Sequence, residues 1–261
     1  MPEALITIRD GEKTYHSERG DIAALRDIDL DVKAGEFVSI LGPSGCGKST
    51  LLKCIAGLQP MTRGTISIGG KAVTEPPADT GFVFQRDVLL DWRTVVDNVL
   101  LPAEFQNQPK AKWQARAREL LATLGLEGFD TRYPWELSGG MRQRVAICRS
   151  LLLDPGLLLM DEPFGALDAI TRDELNMELE RIWDRSKKTV LFVTHSIAEA
   201  VFLSDRVVVM DKNPGRIAEI VTIDLPRPRT LAIRETPPFV QYTRHLRSTF
   251  ESLGIMKRSA A

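Results

Sequence analysis

Three cysteines are all that this chain of 261 residues contains, and Cys46, Cys54 and Cys148 share no C-x-x-C spacing. An odd, unspaced set supports neither a disulfide framework nor a zinc site. Long apolar runs are missing too. A bilayer span needs ~18 consecutive residues, and "LLLDPGLLLM" is broken by Asp154 and Pro155. The opening "MPEALITIRDGEKTY" has no basic segment followed by an apolar one, so no signal peptide is expected. Neither sign of charge is in excess. With 34 Lys+Arg against 35 Asp+Glu and a pI near 6.4, nucleic acid is not the expected partner. Repeats, low-complexity tracts and sustained heptads are also lacking. The profile is cytosolic. What remains, 43% hydrophobic and 26% charged residues, is ordinary for a folded chain with one sizeable core.

Short apolar segments alternate with helical patterns. "FVSIL" (37–41), "GFVFQ" (81–85), "LLLMDE" (157–162), "TVLFVT" (189–194) and "RVVVM" (206–210) read as strands, several of them covered on both faces. "KSTLLKCIAGL" reads as a helix. So does "DELNMELERIW", where Leu175, Leu179, Ile182 and Trp183 share one face. This is an α/β pattern with a mostly parallel sheet. The front, "ALITIRDGEKTY" and "IAALRDIDLDV", alternates as a small antiparallel sheet would. From about Val88 to Leu153 there is helical patterning and no convincing strand, with Trp113, Ala117, Leu120, Leu121 and Leu124 along one stripe. A helical lobe inserted at 88–153 is expected. Residues 226–261 are Pro-spaced and carry seven Lys/Arg against two Asp/Glu. They form a short basic extension that either docks on the core or a second copy, or lies against an anionic membrane surface.

"GPSGCGKST", Gly42 to Thr50, matches G-x-x-x-x-G-K-[ST], follows an apolar strand and opens a helix. In such a loop the backbone of Gly42, Pro43, Ser44, Gly45, Cys46 and Gly47 wraps phosphates. Lys48 reaches the β- and γ-phosphates and the Ser49 hydroxyl ligates Mg²⁺, with Thr50 beside it. The wholly apolar strand ending in Asp161 supplies a carboxylate for the Mg²⁺ shell, and the adjacent Glu162 is placed to orient or deprotonate water. A second bare helix start lies at "YPWELSGGMRQRVAI". After a buried-looking Trp-Glu-Leu, Ser138 caps a helix whose first residues, Gly139 and Gly140, let an anion reach unpaired N–H groups.

In this order, the phosphate loop, "LSGGMRQR", "LLLMDEP", "GALD" and "TH" resemble the nucleotide-binding subunit of ABC transporters over residues 5 to 225. The resemblance implies an α/β, RecA-like P-loop NTPase core over 1–225, with an N-terminal antiparallel β-subdomain and the inserted helical subdomain. It implies ATP and Mg²⁺ as cofactors and a homodimer whose chains meet head to tail, so that Ser138–Gly140 of one closes on the nucleotide held by the other. By position it assigns Gln85 to sensing of Mg²⁺ and water, Asp168 to contact across the dimer and His195 to the γ-phosphate. Tyr15 would stack on adenine. Met141 and Ser196 stand where the family more often has Gln and Asp. A bulky reagent on Cys46 is expected to inactivate, and ATP to protect.

"VFQRDVLLDWRTVVDNV", "DEPFGALDAITRDEL" and "PGRI" most resemble the nitrate/sulfonate/taurine group of bacterial importers, with Asp91 in place of a common Pro. This implies separate integral membrane permease subunits, approached near Leu90–Val99, and indirectly a solute-binding protein. It also implies a peripheral location on the cytoplasmic face of the inner membrane. The alternatives are a non-transport ABC ATPase and a soluble P-loop kinase. Neither the "LSGG" helix start nor the Asp161–Glu162 pair has a use in a kinase.

Overall fold

The computed structural model describes residues 4–256 apart from Arg19 and Ala166. Lys257 and Arg258 of the basic extension lie outside the described residues. Strands β1 (Ala4–Tyr15) and β2 (Ile22–Lys33) pair antiparallel, and β1 also pairs with β4 (Arg63–Ile68), which carries the two-residue β5 (Lys71–Ala72). Their order is β2-β1-β4-β5.

The larger sheet takes β3 (Phe37–Leu41), β6 (Thr80–Val83), β7 (Leu157–Asp161), β8 (Thr189–Thr194), β9 (Arg206–Asp211) and β10 (Arg216–Thr222), in the order β10-β9-β3-β8-β7-β6. All its pairings are parallel except the edge pair β9–β10. Every residue of β3, β7 and β8 is buried, and their period-two alternation divides them between two cores. Val38, Ile40, Leu157, Leu159, Leu191 and Val193 face the antiparallel sheet and helix α1 (Lys48–Ile55). Phe37, Leu158, Met160, Val190 and Phe192 face the other helices. The register sets Leu41 beside Thr194 and Asp161 beside Val193. The chain therefore leaves β3, β7 and β8 at one common edge, the carboxyl end where open α/β sheets bind ligands.

Between β6 and β7 lie α2 (Val95–Phe105), α3 (Lys110–Thr123) and α4 (Gly139–Leu151), with no strand among the described residues. The expected stripe on α3 buries Ala117, Leu120 and Leu121, with Leu124 just beyond its end and Trp113 half-buried. After β7 come α5 (Ala169–Ser186), α6 (Ile197–Leu203) and α7 (Pro237–Ser252).

The sequence reading needs two adjustments. Trp135 is not buried. It is 64% exposed and stacks on Tyr133 with ring centroids 4.6 Å apart, while Leu137 alone of the Trp-Glu-Leu triplet enters the core. The strand expected to end at Gln85 stops at Val83, which leaves Gln85 in a turn. The basic extension packs on the core through Phe239, Leu246 and Phe250 of α7. Arg227 pairs with Glu180 and Asp205 with its guanidinium 3.9 Å above the Trp183 ring. Arg229 is fully enclosed.

Candidate functional site

The loop leaving β3 turns on two glycines in the left-handed region, Gly45 (φ 78°) and Gly47 (φ 97°). A Cβ on Gly47 would sit 2.7 Å from Leu25 Cδ2 and 2.8 Å from the Ala24 carbonyl, so this position has no room for another residue. Gly47 is also the N-cap of α1 and offers no side chain, leaving the first N–H groups of the helix free for an anion. Lys48, only 4% exposed, donates from Nζ to the Gly42 and Pro43 carbonyls at 2.9 Å each and lies 3.4 Å from Glu162 Oε1. Its charge is thus held at the loop rather than in solvent.

Ser49 Oγ donates to Asp161 Oδ1 at 2.7 Å. Burial raises the pKa of Asp161, and the Ser49 bond opposes that rise. Glu162 holds a left-handed backbone (φ 45°) fixed by its N–H to the Val193 carbonyl at 3.0 Å. For a residue that is not glycine this conformation is uncommon. It aims the carboxylate so that Oε2 lies 3.4 Å from Gln85 Nε2 and 3.3 Å from His195 Nδ1. Residues just beyond β6 and β8 thus meet the carboxylate that follows β7.

Beside this group opens a cavity of about 400 Å³, lined by Ser44, Gly45, Gly47, Lys48, Ser49, Thr50, Gln85 and Glu162 at one end and by Tyr15 and Ile22–Ala24 at the other. Tyr15 is half exposed and its hydroxyl donates to Gln59 Oε1 at 2.6 Å, 3.3 Å from Thr50 Oγ1. Among the described residues no three acids or histidines cluster as a ready metal cage. The donors present, a serine hydroxyl, one carboxylate and an amide oxygen, are all hard oxygens. They fit Mg²⁺, which keeps several waters and shares its shell with phosphates.

Gly42, Pro43 and Cys46 do not line the cavity. Cys46 is 1% exposed, and a Cβ added at Gly42 would lie 2.8 Å from its sulfur. Burial pushes the thiol's pKa up. The sulfur is enclosed by the fold rather than presented at the open loop, which favours slow modification over the inactivation expected from the sequence. Asn213 and Gly215 also line the cavity, although neither has a place in the site expected from the sequence, where Gly215 figures only within "PGRI". They arrive by long-range pairing, since Gly215 N–H donates to the Ala24 carbonyl and Arg26 N–H to Gly215 O, each at 3.0 Å.

The second glycine-marked helix start lies apart from the first. Ser138 Oγ accepts from Met141 N–H at 3.3 Å and caps α4, while Gly139 is open to solvent. Gly140 packs against the start of α5, where an added Cβ would meet Thr171 Cγ2 at 3.1 Å and Leu167 Cδ2 at 3.6 Å. Asp168 caps α5, accepting from Ile170 and Thr171 N–H at 3.1 and 3.0 Å. Ser138, Gly139, Gly140 and Asp168 thus share one exposed surface, and none of them lines the cavity. Helix α4 is tied to the turn after Gln85: Arg142 Nε donates to Asp87 Oδ2 at 2.9 Å, and Arg149 donates to the Asp87 and Val88 carbonyls at 2.8 Å each.

A mostly parallel sheet with a glycine-rich turn, a buried lysine and a Ser–Asp pair at its carboxyl edge defines a P-loop nucleoside triphosphatase. The ABC transporter family profile matches residues 25–165. An uncharacterised ABC transporter ATP-binding protein of Methanocaldococcus jannaschii is 50% identical over 90% of this chain and 86% of its own. The taurine import ATP-binding protein of Rhizobium johnstonii is 45% identical over 92% and 93%. A solved dimeric ATP-binding cassette in a post-hydrolysis state, bound to ADP and Pi, superposes with a TM-score of 0.76 at 34% identity, covering 85% of this chain and 100% of that one. The chain belongs to the ABC transporter ATP-binding family and is an ATPase.

Proposed function

We propose that two copies of this chain close head to tail around two ATP and drive uptake of a small solute through separate membrane subunits. One observation carries the reading. The chain has two glycine-marked helix starts facing solvent, and only the first lines its cavity. The second is free to complete the cavity of another copy. That a similar cassette was solved as a dimer bound to ADP and Pi supports pairing of two copies.

In the closed site, Lys48 and the N–H groups of the loop hold the β- and γ-phosphates. Ser49, Asp161 and Gln85 would hold Mg²⁺, which would supply charge neutralisation at the phosphates. Tyr15 stacks on the base. Glu162 takes a proton from the attacking water, and His195, 3.3 Å from it, holds that carboxylate in place and faces the γ-phosphate. Ser138, Gly139 and Gly140 of the other copy stabilise the charge that develops on the transferred group, while Asp168 reaches across the interface.

Import, rather than another use of ATP, rests on the likeness to the taurine import protein. The cargo proposed is a small anion of the nitrate, sulfonate or taurine kind, delivered by a solute-binding protein outside the cell. No helix among the described residues is long and apolar enough to cross a membrane. The permease subunits would seat against an apolar groove of about 550 Å³ lined by Phe82, Phe84, Val88, Leu101, Pro102 and Phe105, the last 81% exposed. That groove flanks Leu90–Val99 rather than including it. The chain is placed at the cytoplasmic face of the inner membrane.

The test is Glu162→Gln. It is expected to retain ATP binding, to lower kcat by about 10²–10⁴, and to accumulate an ATP-dependent dimer on size-exclusion chromatography with light scattering. Normal turnover, or a monomer at saturating ATP, would defeat the proposal.

A further inference from the structure

Two side chains outside both helix starts link the His195 turn to the second of them. Thr194 ends β8 one residue before His195, and its hydroxyl donates to Glu199 Oε2 at 2.5 Å. The same hydroxyl oxygen accepts from Ser196 N–H at 3.0 Å, and Ser196 Oγ caps α6 by accepting from Glu199 N–H at 3.3 Å. The turn carrying His195 is therefore closed around the Glu199 carboxylate, which is almost wholly buried. The other oxygen, Oε1, lies 3.4 Å from Arg172 Nε on α5. Arg172 Nη2 in turn donates to the Leu167 carbonyl at 2.7 Å. Leu167 precedes Asp168, and its side chain packs against Gly140 at the start of α4.

A short path thus runs from His195 through Thr194, Glu199, Arg172 and Leu167 to the Asp168 and Gly140 surface. It contains one buried carboxylate and one cation, which meet as an ion pair rather than a hydrogen bond, since Arg172 Nε is buried with no hydrogen-bond partner. Burial raises the pKa of Glu199, with the Thr194 bond and the Arg172 charge opposing the rise. Either partner alone in this partly enclosed setting leaves the other with an unmet charge.

We propose that Glu199 and Arg172 are positioning residues that hold the two phosphate-facing ends of one chain in fixed register. The His195 end, which reads the chain's own nucleotide, then moves as one piece with the Gly140 end, which closes on the neighbour's. The inference rests on the head-to-tail reading above. It implies that these side chains matter little for the first binding of ATP by a monomer and much for closure and turnover.

The experiment places Glu199→Gln and Arg172→Met, singly and together, in the full chain and in the Glu162→Gln background. In the full chain the singles are expected to lower kcat at least about tenfold and leave the ATP Kd of the monomer within about twofold. In the Glu162→Gln background they weaken ATP-dependent dimerisation at least about tenfold. The double variant is no worse than the poorer single, because both act through one contact. Arg172→Lys, which keeps the charge against Glu199 but loses the fork to Leu167, falls between. Circular dichroism and the retained ATP affinity report that each variant is folded. If a variant does not fold, Arg172→Lys carries the same comparison. If Glu162→Gln itself forms no ATP-dependent dimer, the head-to-tail reading and this inference fall together. If it dimerises and the added changes leave its affinity and kcat untouched, or the two singles simply add, the inference alone is overturned.

Discussion

Arg229→Met tests whether the basic extension is part of the fold. Arg229 donates through Nη1 to the carbonyls of Val201, Phe202 and Ser204 at 3.2, 3.0 and 2.8 Å, and through Nη2 to Leu225 O at 3.2 Å. The first three carbonyls close the C-terminal end of α6, where a cation is favoured. Desolvation, and then the neighbouring charge of Arg227, lower its pKa to about 10, so it keeps its proton at neutral pH. Methionine preserves most of the aliphatic stem and removes all four bonds. At about 1 kcal/mol net for each, the loss is about 4 kcal/mol, within the 3–5 kcal/mol range for removing one partner of a buried charged contact. The Nε atom, buried without a hydrogen-bond partner, is relieved by the same change and offsets part of this. With about 2.1 cal/mol/K of unfolding entropy per residue over 261 residues, 3–5 kcal/mol corresponds to a fall in Tm of about 5–9 °C. Urea unfolding followed by circular dichroism, beside thermal unfolding, measures both quantities. The exposed Arg247 provides the control, since Arg247→Met is expected to shift stability by less than about 0.5 kcal/mol. Equal behaviour of Arg229→Met and Arg247→Met would refute the docking argument.

Other perturbations bear on the cavity and its walls. Gly215→Ala places a Cβ 2.1 Å from the Cys46 carbonyl and 2.9 Å from that of Ala24. Both obstacles are backbone, so the phosphate loop itself must shift; a cost of about 1–3 kcal/mol in stability is expected, with a weakened ATP Kd in calorimetry, and an unchanged Kd would show that the loop does not lean on this hairpin. All three thiols are buried and their pKa values are raised, that of Cys54 to about 11 by desolvation. Maleimide labelling of the native chain is thus expected to be slow with or without ATP and complete in urea. Rapid native labelling that ATP blocks would instead restore an accessible Cys46. The unfolded thiol ionises near pH 9 while native Cys54 keeps its proton to about 11, so unfolding releases protons and stability falls as pH rises through that window. Cys54→Ala should flatten the alkaline limb of a pH–stability profile.

The parts legible in the sequence are those whose cause is local. β3 and β8 are continuous apolar runs because both faces are covered, and their limits match the expected ones. The phosphate loop is readable because its glycines, lysine and serine must keep a fixed spacing. β4 escapes such reading: in "RGTISI" only Ile66 is buried, so the strand exists through pairing with β1 rather than through its own pattern. The edge strand β10 alternates between exposed and half-buried residues with none fully covered. Asn213 and Gly215 reach the cavity only because the β9–β10 hairpin meets β2 at Leu25. Trp135 misled because a large aromatic is normally a core residue, whereas here Tyr133 covers one of its faces. Arg227 and Arg229 look like surface charge when counted. Only the carbonyls at the end of α6, with Glu180 and Asp205, make burial tolerable.

The same accounting of polar groups explains why closure of the proposed dimer would depend on ATP. α1 starts with no side-chain cap, and at α4 the side chain of Ser138 accepts a single N–H, from Met141. In a lone chain, water reaches the remaining donors at little expense. Pressing the α4 start of one copy over the cavity of another would strip that water, and each donor left unmet would oppose closure by about 1–3 kcal/mol. A γ-phosphate between the two helix starts meets donors from both sides, reversing the sign of the contribution. Cleavage would loosen that anion from one side and restore the penalty. Glycine at 139 and 140 serves this directly, since a side chain at 139 would stand in the open approach and one at 140 would push on Thr171. The weakness of a helix that begins on bare glycine would then be what makes the proposed interface answer to the nucleotide.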